Sequence, residues 1–177
     1  MATLYTIGHS TRRVDELIEV LQAHSIRTLI DIRAFPMSRR LPHFNREALE
    51  ESLQQSGIRY LWMKALGGYR KKIRDDSPNP ALRNESFRNY ADYMLTTEFQ
   101  TAIEEVVQQA EQARTVYMCA ERMYFQCHRM LVSDWLTAHG HSVFHLEDNG
   151  PVKAHKLTSE ARLVNGQLVY SGERLPF

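Results

Sequence analysis

The sequence predicts an α/β protein: a single three-layer domain in which a mostly parallel sheet is flanked by helices, with a β-hairpin near the C-terminus. Short β-prone runs alternate with amphipathic helical stretches, an order typical of parallel sheets. Thr28–Arg33 shows almost no polar alternation, as expected for a strand buried on both faces. Asn165-Gly166 separates two further β-prone runs, which is a strong hairpin signal. With 177 residues, 43% of them hydrophobic, we expect one domain over residues 1–177, carrying the hairpin at 161–171 as an appendage.

Three strands and two helices are predicted in the first half of the chain. β-prone apolar runs place the strands at residues 4–7, 28–33 and 58–62. Apolar residues recur at helical spacing over residues 11–24, which predicts the first helix. Asn45 is a suitable N-cap for a second helix, which ends at Gly57.

The second half continues the alternation after a long loop. Residues 63–84 contain Gly67-Gly68, a basic cluster and two prolines, and a loop of this length is usually functional or mobile. A helical pattern follows over residues 86–113 and is broken near Thr96-Thr97. The remaining predicted elements are a strand at 115–119, a helix at 129–139 and a strand at 142–146.

Composition leaves several classes of partner open. The chain has 22 Lys and Arg against 21 Asp and Glu, so its formal net charge of +1 excludes neither nucleic acid nor a small molecule. No basic leader with an apolar segment is present, and no apolar run approaches the roughly 20 residues that span a bilayer. We therefore expect a soluble, cytoplasmic protein without a membrane partner. In such a protein, two cysteines are more often reduced, catalytic or metal-linked than joined in a structural disulfide.

Charge is distributed unevenly along the chain. Basic residues crowd two loop regions, 33–46 and 64–74, whereas acidic residues fall on the helical stretch 92–111. This asymmetry would steer an anionic ligand to one end of the molecule, and neighbouring aromatic residues suit stacking on nucleic-acid bases. The simpler interpretation is that both regions are solubilising surfaces.

Polar and reactive residues follow the predicted strands at the points where these strands end. Because ligands of parallel α/β sheets bind outside the carboxyl ends of the strands, we expect these residues to converge on one site. The residues assigned to catalysis are Cys119, Cys127, His9, Asp31 and Glu121. The residues assigned to substrate binding are Gly8, Ser10, Arg33, Ser38, Gly67, Gly68, His128 and Arg129.

Cys119 is the leading candidate for a nucleophile, with Cys127 as its partner. A thiol at a strand end that faces arginines and helix N-termini can have a lowered pKa, and the thiolate is the reactive form. The alternative is a buried, unreactive cysteine. A tyrosine-phosphatase loop is excluded, because its signature Cys-x5-Arg requires arginine where this chain has Phe125.

The two cysteines also suggest metal or redox chemistry. Cys119 and Cys127 would form a zinc or iron site with one of three histidines, namely His9, His128 or His145. A redox pair formed by the two cysteines is a further alternative.

The charged candidates have both binding and structural interpretations. Arg33 and Arg129 suit a carboxylate or phosphate, which they would clamp. For Arg129 the alternative is a salt bridge to Glu121 or Asp31. His9, Asp31 and Glu121 would move protons or orient their neighbours. The smaller candidates also have two interpretations. Ser10 precedes a helix and is more often a cap than a catalytic hydroxyl, and the pair Gly67-Gly68 is more often a turn than a ligand-binding segment.

Four motifs taken together resemble those of domain-of-unknown-function family 488 (DUF488). They are Thr6-Ile-Gly-His-Ser10, Asp31-x-Arg33-x-x-Pro36-x-Ser38, Leu66-Gly-Gly68, and Cys119-Ala-Glu121 followed by Cys127-His-Arg129. The resemblance covers about residues 3–147 and implies a bacterial and archaeal single-domain α/β group that shares this site. It implies no agreed reaction and no substrate.

We expect first an enzyme whose Cys/Arg/His site at the carboxyl edge of the sheet acts on a small anionic or nucleotide-like substrate. One alternative is a nucleic-acid-binding module that uses the basic loops 33–46 and 64–74. Another is a metal- or redox-sensing protein.

Overall fold

Six strands form the main sheet of the computed structural model, which describes residues 1–148 and 150–172. The strands are β1 (Thr3–Gly8), β2 (Thr28–Asp31), β3 (Arg59–Trp62), β4 (Thr115–Cys119), β5 (Ser142–His145) and β6 (Lys153–Ala154). They lie in the order β3-β2-β4-β1-β5-β6. The first five run parallel, and β6 pairs with β5 in the antiparallel sense. The predicted parallel sheet is confirmed; β6, with only two residues, was not predicted.

The helices lie close to their predicted positions. They are α1 (Val14–Ala23), α2 (Arg46–Gln55), α3 (Glu85–Tyr93), α4 (Thr97–Gln112) and α5 (Arg129–Ala138). Thr96 ends the stretch before α4 and accepts a hydrogen bond from the Phe99 backbone N–H, which explains the predicted break. Asn45 occupies the cap position of α2, but its Oδ1 accepts from the Ser38 N–H at 2.6 Å. Asn45 therefore ties down the preceding loop instead of capping the helix.

The helices cover both faces of the sheet, which confirms the three layers. Alternate residues of β4 point to opposite faces: Val116 and Met118 pack with α1 and α2, whereas Tyr117 and Cys119 pack in the core shared with α3, α4 and α5. This alternation has a functional consequence. The side chain of Cys119 lies on the same face of the sheet as α5, at whose start the second cysteine is found.

The predicted hairpin is confirmed as β7 (Ala161–Val164) and β8 (Gln167–Tyr170). Asn165 and Gly166 have φ angles of 51° and 78°, as a tight hairpin turn requires. Tyr170 is fully buried, and its hydroxyl donates to Asp134 Oδ2 on α5 at 2.7 Å. The backbone N–H of Tyr170 donates to Asn79 Oδ1 at 2.9 Å. The hairpin is thus tied both to α5 and to the long loop before α3.

The sequence predicts a single domain and no membrane-spanning segment. The prediction of one domain over residues 1–177 includes residues 149 and 173–177, which lie outside the described residues. Within the described residues, no helix has the length and apolar character needed to cross a membrane.

The buried hydroxyl of Tyr170 provides a test of how the hairpin is held. Tyr170→Phe removes one donor from the buried Asp134 carboxylate, and we expect it to lower the free energy of unfolding by about 1–3 kcal/mol in urea titrations. Tyr5→Phe is the matched control, because the structure gives the Tyr5 hydroxyl no hydrogen-bond partner among the described residues. Equal losses in the two variants would contradict this account.

Candidate active site

The candidate residues converge where β1, β2 and β4 end. Gly8 is the register partner of Cys119, and the backbone N–H of His9 donates to the Cys119 carbonyl at 2.9 Å. A pocket of about 280 Å³ opens beside these strand ends. The candidates that line it are Arg33, Gly68, Cys119, Glu121, Cys127 and His128. The structure thus places residues from four separate segments around one cavity.

The two cysteine sulfurs are in direct contact. Cys119 Sγ and Cys127 Sγ lie 2.9 Å apart, and neither cysteine forms a disulfide. Burial raises the pKa of the Cys119 thiol well above its ordinary value. The pKa of Cys127 is lowered to about 7, chiefly by the hydrogen bond from Cys119 and also by the charge and backbone N–H of Arg129, while burial opposes the shift. These shifts make Cys127 the more acidic thiol of the pair.

Arg129 is a buried cation that organises the loop between the two cysteines. Arg129 is only 1% exposed. Nη2 donates to the carbonyls of Glu121 and Arg122 at 3.1 and 2.9 Å, and Nη1 donates to Thr6 Oγ1 at 3.2 Å. Nε is buried without a partner, and no carboxylate lies within ion-pair distance of Arg129 among the described residues. The predicted alternative of a salt bridge to Glu121 is not formed: Glu121 contributes its carbonyl, and its side chain is exposed.

Asp31 and Arg33 form a buried ion pair. Asp31 accepts from Arg33 Nε at 2.9 Å and from Nη2 at 2.7 Å, and it also accepts from the Tyr60 hydroxyl at 2.5 Å. Arg33 Nη2 donates further to the Phe44 carbonyl, and Nη1 lies 3.3 Å from His9 Nε2. The two charged groups therefore bind mainly each other. Of the Arg33 nitrogens, Nη1 has the weakest contact, to His9 Nε2, and Arg33 lines the pocket.

The two candidate histidines have different roles. His9 Nδ1 lies 2.8 Å from the Ser10 carbonyl and its Nε2 faces Arg33, so both ring nitrogens are engaged in holding the turn. His128 Nε2 donates to the Ile32 carbonyl at 2.8 Å, which leaves the lone pair on Nδ1. Burial lowers the pKa of both histidines to about 4, so both are neutral near pH 7. His128 is the better candidate for a proton acceptor.

The candidate glycines permit close packing around these side chains. A Cβ on Gly68 would lie 3.1 Å from His128 Nδ1, so the absence of a side chain keeps this nitrogen approachable. A Cβ on Gly8 would lie 1.7 Å from the Glu121 carbonyl oxygen, and one on Gly67 would lie 2.7 Å from the Ala34 Cα. Gly8 and Gly67 therefore allow backbone segments to meet.

The two candidate serines lie in turns beside the site. Ser10 adopts a left-handed φ of 53°, and its N–H donates to the Ala120 carbonyl at 3.0 Å. Ser38 Oγ accepts from the Leu41 N–H at 3.2 Å. Neither serine lines the pocket next to the sulfurs. Their contacts shape the loops.

The donors predicted for a zinc or iron site do not fit a metal ion. Among the described residues, no group of three or more His, Cys, Asp or Glu side chains is arranged to hold one. His9 and His145 each use both ring nitrogens in hydrogen bonds. The two cysteines contact each other without a third donor of this kind.

A chain of buried hydrogen bonds behind the site was missed by sequence reasoning. Thr6 accepts from Arg129, so its own proton is available to His145 Nδ1, 2.7 Å away. His145 Nε2 then donates to His155 Nδ1 at 2.9 Å, and His155 Nε2 donates to Asp134 Oδ1 at 2.7 Å. This direction gives each proton in the chain an acceptor. A buried cation and a buried carboxylate are thus joined through two imidazoles.

One sequence signal could have revealed this chain. Asp134 interrupts the apolar stretch of α5 and is fully buried, and a buried carboxylate requires partners. The other members of the chain and the second donor to Asp134 come from β1, β5, the segment after β6 and the hairpin, so their identity depends on the tertiary fold. Tyr124 stacks on His145 with ring centroids 3.8 Å apart and covers the middle of the chain.

Comparison with known families gives one match. A family model described as "Domain of unknown function DUF488" matches residues 13–136, well over half of the chain. The chain belongs to this family. The DUF488 match includes the Asp31–Arg33 pair, both cysteines and Arg129, whereas β1 and the residues after α5 lie outside it. Searches of curated proteins and of solved structures give no match.

The close approach of β1 to the loop after β4 can be tested in this DUF488 protein with Gly8→Ala. The added Cβ would overlap the Glu121 carbonyl, which Arg129 also binds, so we expect a loss of about 1–3 kcal/mol or more in unfolding free energy. Gly150→Ala is the control, because no atom of the described residues lies within 4 Å of its Cβ position. Indistinguishable urea midpoints for the two variants would contradict the packing described.

The hydrogen bond between the sulfurs can be tested by alkylation rates measured against pH. Cys119→Ala removes the donor that lowers the pKa of Cys127, so the reactive thiolate should appear at higher pH than in the unmodified chain. Cys119→Ser retains a donor, so its pH profile should shift less. A profile that is the same in all three proteins would show that Cys119 does not stabilise the thiolate.

Proposed function

We propose that this DUF488 protein is a thiol-dependent enzyme whose nucleophile is the Cys127 thiolate. The observation that carries the proposal is the contact of the two sulfurs at 2.9 Å in the wall of a pocket, beside a buried arginine. A thiolate becomes nucleophilic at neutral pH when donors and cations stabilise it. Cys119, Arg129 and the N-terminus of α5 supply that stabilisation.

The pocket suits a small substrate with a flat, apolar part. Its volume of about 280 Å³ lies just below the range of about 300–1,000 Å³ that is usual for small-molecule sites. Phe87 and Tyr90 line the interior, and Phe35 and Tyr69 form an exposed aromatic rim with ring centroids 6.2 Å apart. Arg33 adds positive charge at the wall. These features favour a small aromatic anion or a nucleotide-like compound.

Each residue has a role in the proposed reaction. Cys127 attacks an electrophilic atom of the bound substrate, and Arg129 and the Cys119 thiol stabilise the thiolate before the attack. His128 can accept a proton at Nδ1, because its Nε2–H is held by the Ile32 carbonyl. The Arg33 Nη1 group lies where it can bind an anionic part of the substrate. His9 and Asp31 act by holding Arg33 in place.

The nucleic-acid alternative has weaker support from the basic loop 64–74. Lys72 and Arg74 form ion pairs with Asp75 and Asp76. Arg70 folds back to donate to backbone carbonyls and stacks over a tyrosine ring. These contacts reduce the charge that the loop offers to phosphates, so the thiol site remains the better basis for a function.

Selective alkylation tests the proposed nucleophile. Limited treatment of the native protein with iodoacetamide at neutral pH, followed by peptide mapping, should label Cys127 first, because Cys119 is buried and its thiol is protonated. Cys127→Ser should remove the rapid labelling, and Cys119→Ser should retain it. First labelling of Cys119, or no labelling until the protein unfolds, would contradict the proposal.

Protection experiments test the substrate class. Small aromatic carboxylates and nucleoside monophosphates should slow the alkylation of Cys127, since they occupy the aromatic and basic pocket. An uncharged sugar of similar size serves as the control. Equal protection by all compounds, or by none, would remove the support for an anionic aromatic substrate.

A further inference from the structure

The positions of the two sulfurs define an order of access. Cys119 is 2% exposed and ends a central strand, whereas Cys127 is only partly buried. Both residues line the pocket, and their sulfurs are in contact. A reagent that enters the pocket can therefore reach the more exposed Cys127 more readily. The chain has two cysteines in all, so no third thiol competes with this pair.

We propose that the pair carries out thiol–disulfide exchange with a small-molecule disulfide, in which Cys127 attacks and Cys119 resolves. This inference rests on the proposed function, because it uses the same nucleophile and the same pocket. It adds a role for the second thiol and names disulfides as the substrate class. The aromatic lining and the nearby arginine favour disulfides that carry aromatic or anionic groups.

The exchange consists of two displacements at sulfur. In the first, the Cys127 thiolate attacks one sulfur of the substrate, the S–S bond of the substrate breaks, and one thiolate leaves with the electron pair. In the second, Cys119 loses its proton to solvent and attacks the Cys127 sulfur, which releases the other half of the substrate as a thiolate. The substrate gains two electrons, and the two cysteines lose two electrons as they form an internal disulfide. A dithiol reductant returns the pair to two thiols by the reverse exchanges.

The geometry predicts a difference between the two steps. Cys127 reacts from its thiolate form near neutral pH, so the first release should be fast. Cys119 must first lose a proton in a buried position, so the second release should be slower and should accelerate as pH rises. The Cys119 thiol also lies 3.5 Å from the Glu121 carbonyl, which the Arg129 guanidinium holds in place.

Reaction with dithiobis(nitrobenzoic acid), an aromatic anionic disulfide that releases a coloured thiolate, tests the inference. The reduced full-length protein should release two coloured thiolates per molecule in two phases and should end with an internal disulfide and no bound adduct in the mass spectrum. Cys119→Ser should release one and retain the adduct on Cys127. Cys119→Ala provides the same comparison if the serine variant is unstable, and Cys127→Ser should lack the fast phase.

The outcomes separate the two proposals. A persistent adduct on Cys127 in the unmodified protein would overturn the resolving role of Cys119 but would leave Cys127 as a nucleophile. Adducts on both cysteines would likewise overturn the internal exchange. Absence of any reaction in the native protein would overturn both the exchange and the proposed nucleophile. An internal disulfide formed without an adduct, lost in Cys119→Ser, supports the inference.

Discussion

The guanidinium of Arg129 is the charge around which this end of the molecule is built. Removing a guanidinium from water costs several kcal/mol unless partners replace the water. Here the partners are the carbonyls of residues 121 and 122 and the hydroxyl of Thr6, together with the nearby Cys127 sulfur. Because these groups belong to β1, to the loop after β4 and to the start of α5, satisfying one buried cation fixes three segments relative to one another. The thiol pair lies within that frame.

The hydrogen-bond chain connects this frame to the C-terminal hairpin. Burial lowers the pKa of His145 to about 3, so this imidazole stays neutral and can accept from Thr6. At the far end of the chain of hydrogen bonds, Asp134 accepts hydrogen bonds from His155 Nε2, the Thr158 N–H and the Tyr170 hydroxyl. The hairpin thus supplies one of the three groups that donate hydrogen bonds to the Asp134 carboxylate.

Sequence reasoning predicted that the candidate residues converge because parallel strands bring their carboxyl ends together, whatever the details of packing. It favoured Cys119 as the nucleophile, whereas the relative acidity of the two thiols depends on the face of β4 on which Cys119 lies and on the donor that each sulfur receives. The Asp31–Arg33 pair was also ambiguous, because a strand-end arginine can bind a ligand or a neighbour equally well in a sequence. The histidine chain joins segments more than a hundred residues apart, so local patterns carry no trace of it beyond the buried Asp134.

The central claim, that buried donors and Arg129 make Cys127 a thiolate near neutral pH, is tested most directly by its ultraviolet absorbance as the native protein is titrated. We predict one thiolate with a midpoint near pH 7, absent in Cys127→Ser and present in Cys119→Ser with a higher midpoint. Thiolate absorbance that appears only near the ordinary cysteine pKa of about 8.5 or above would contradict the account.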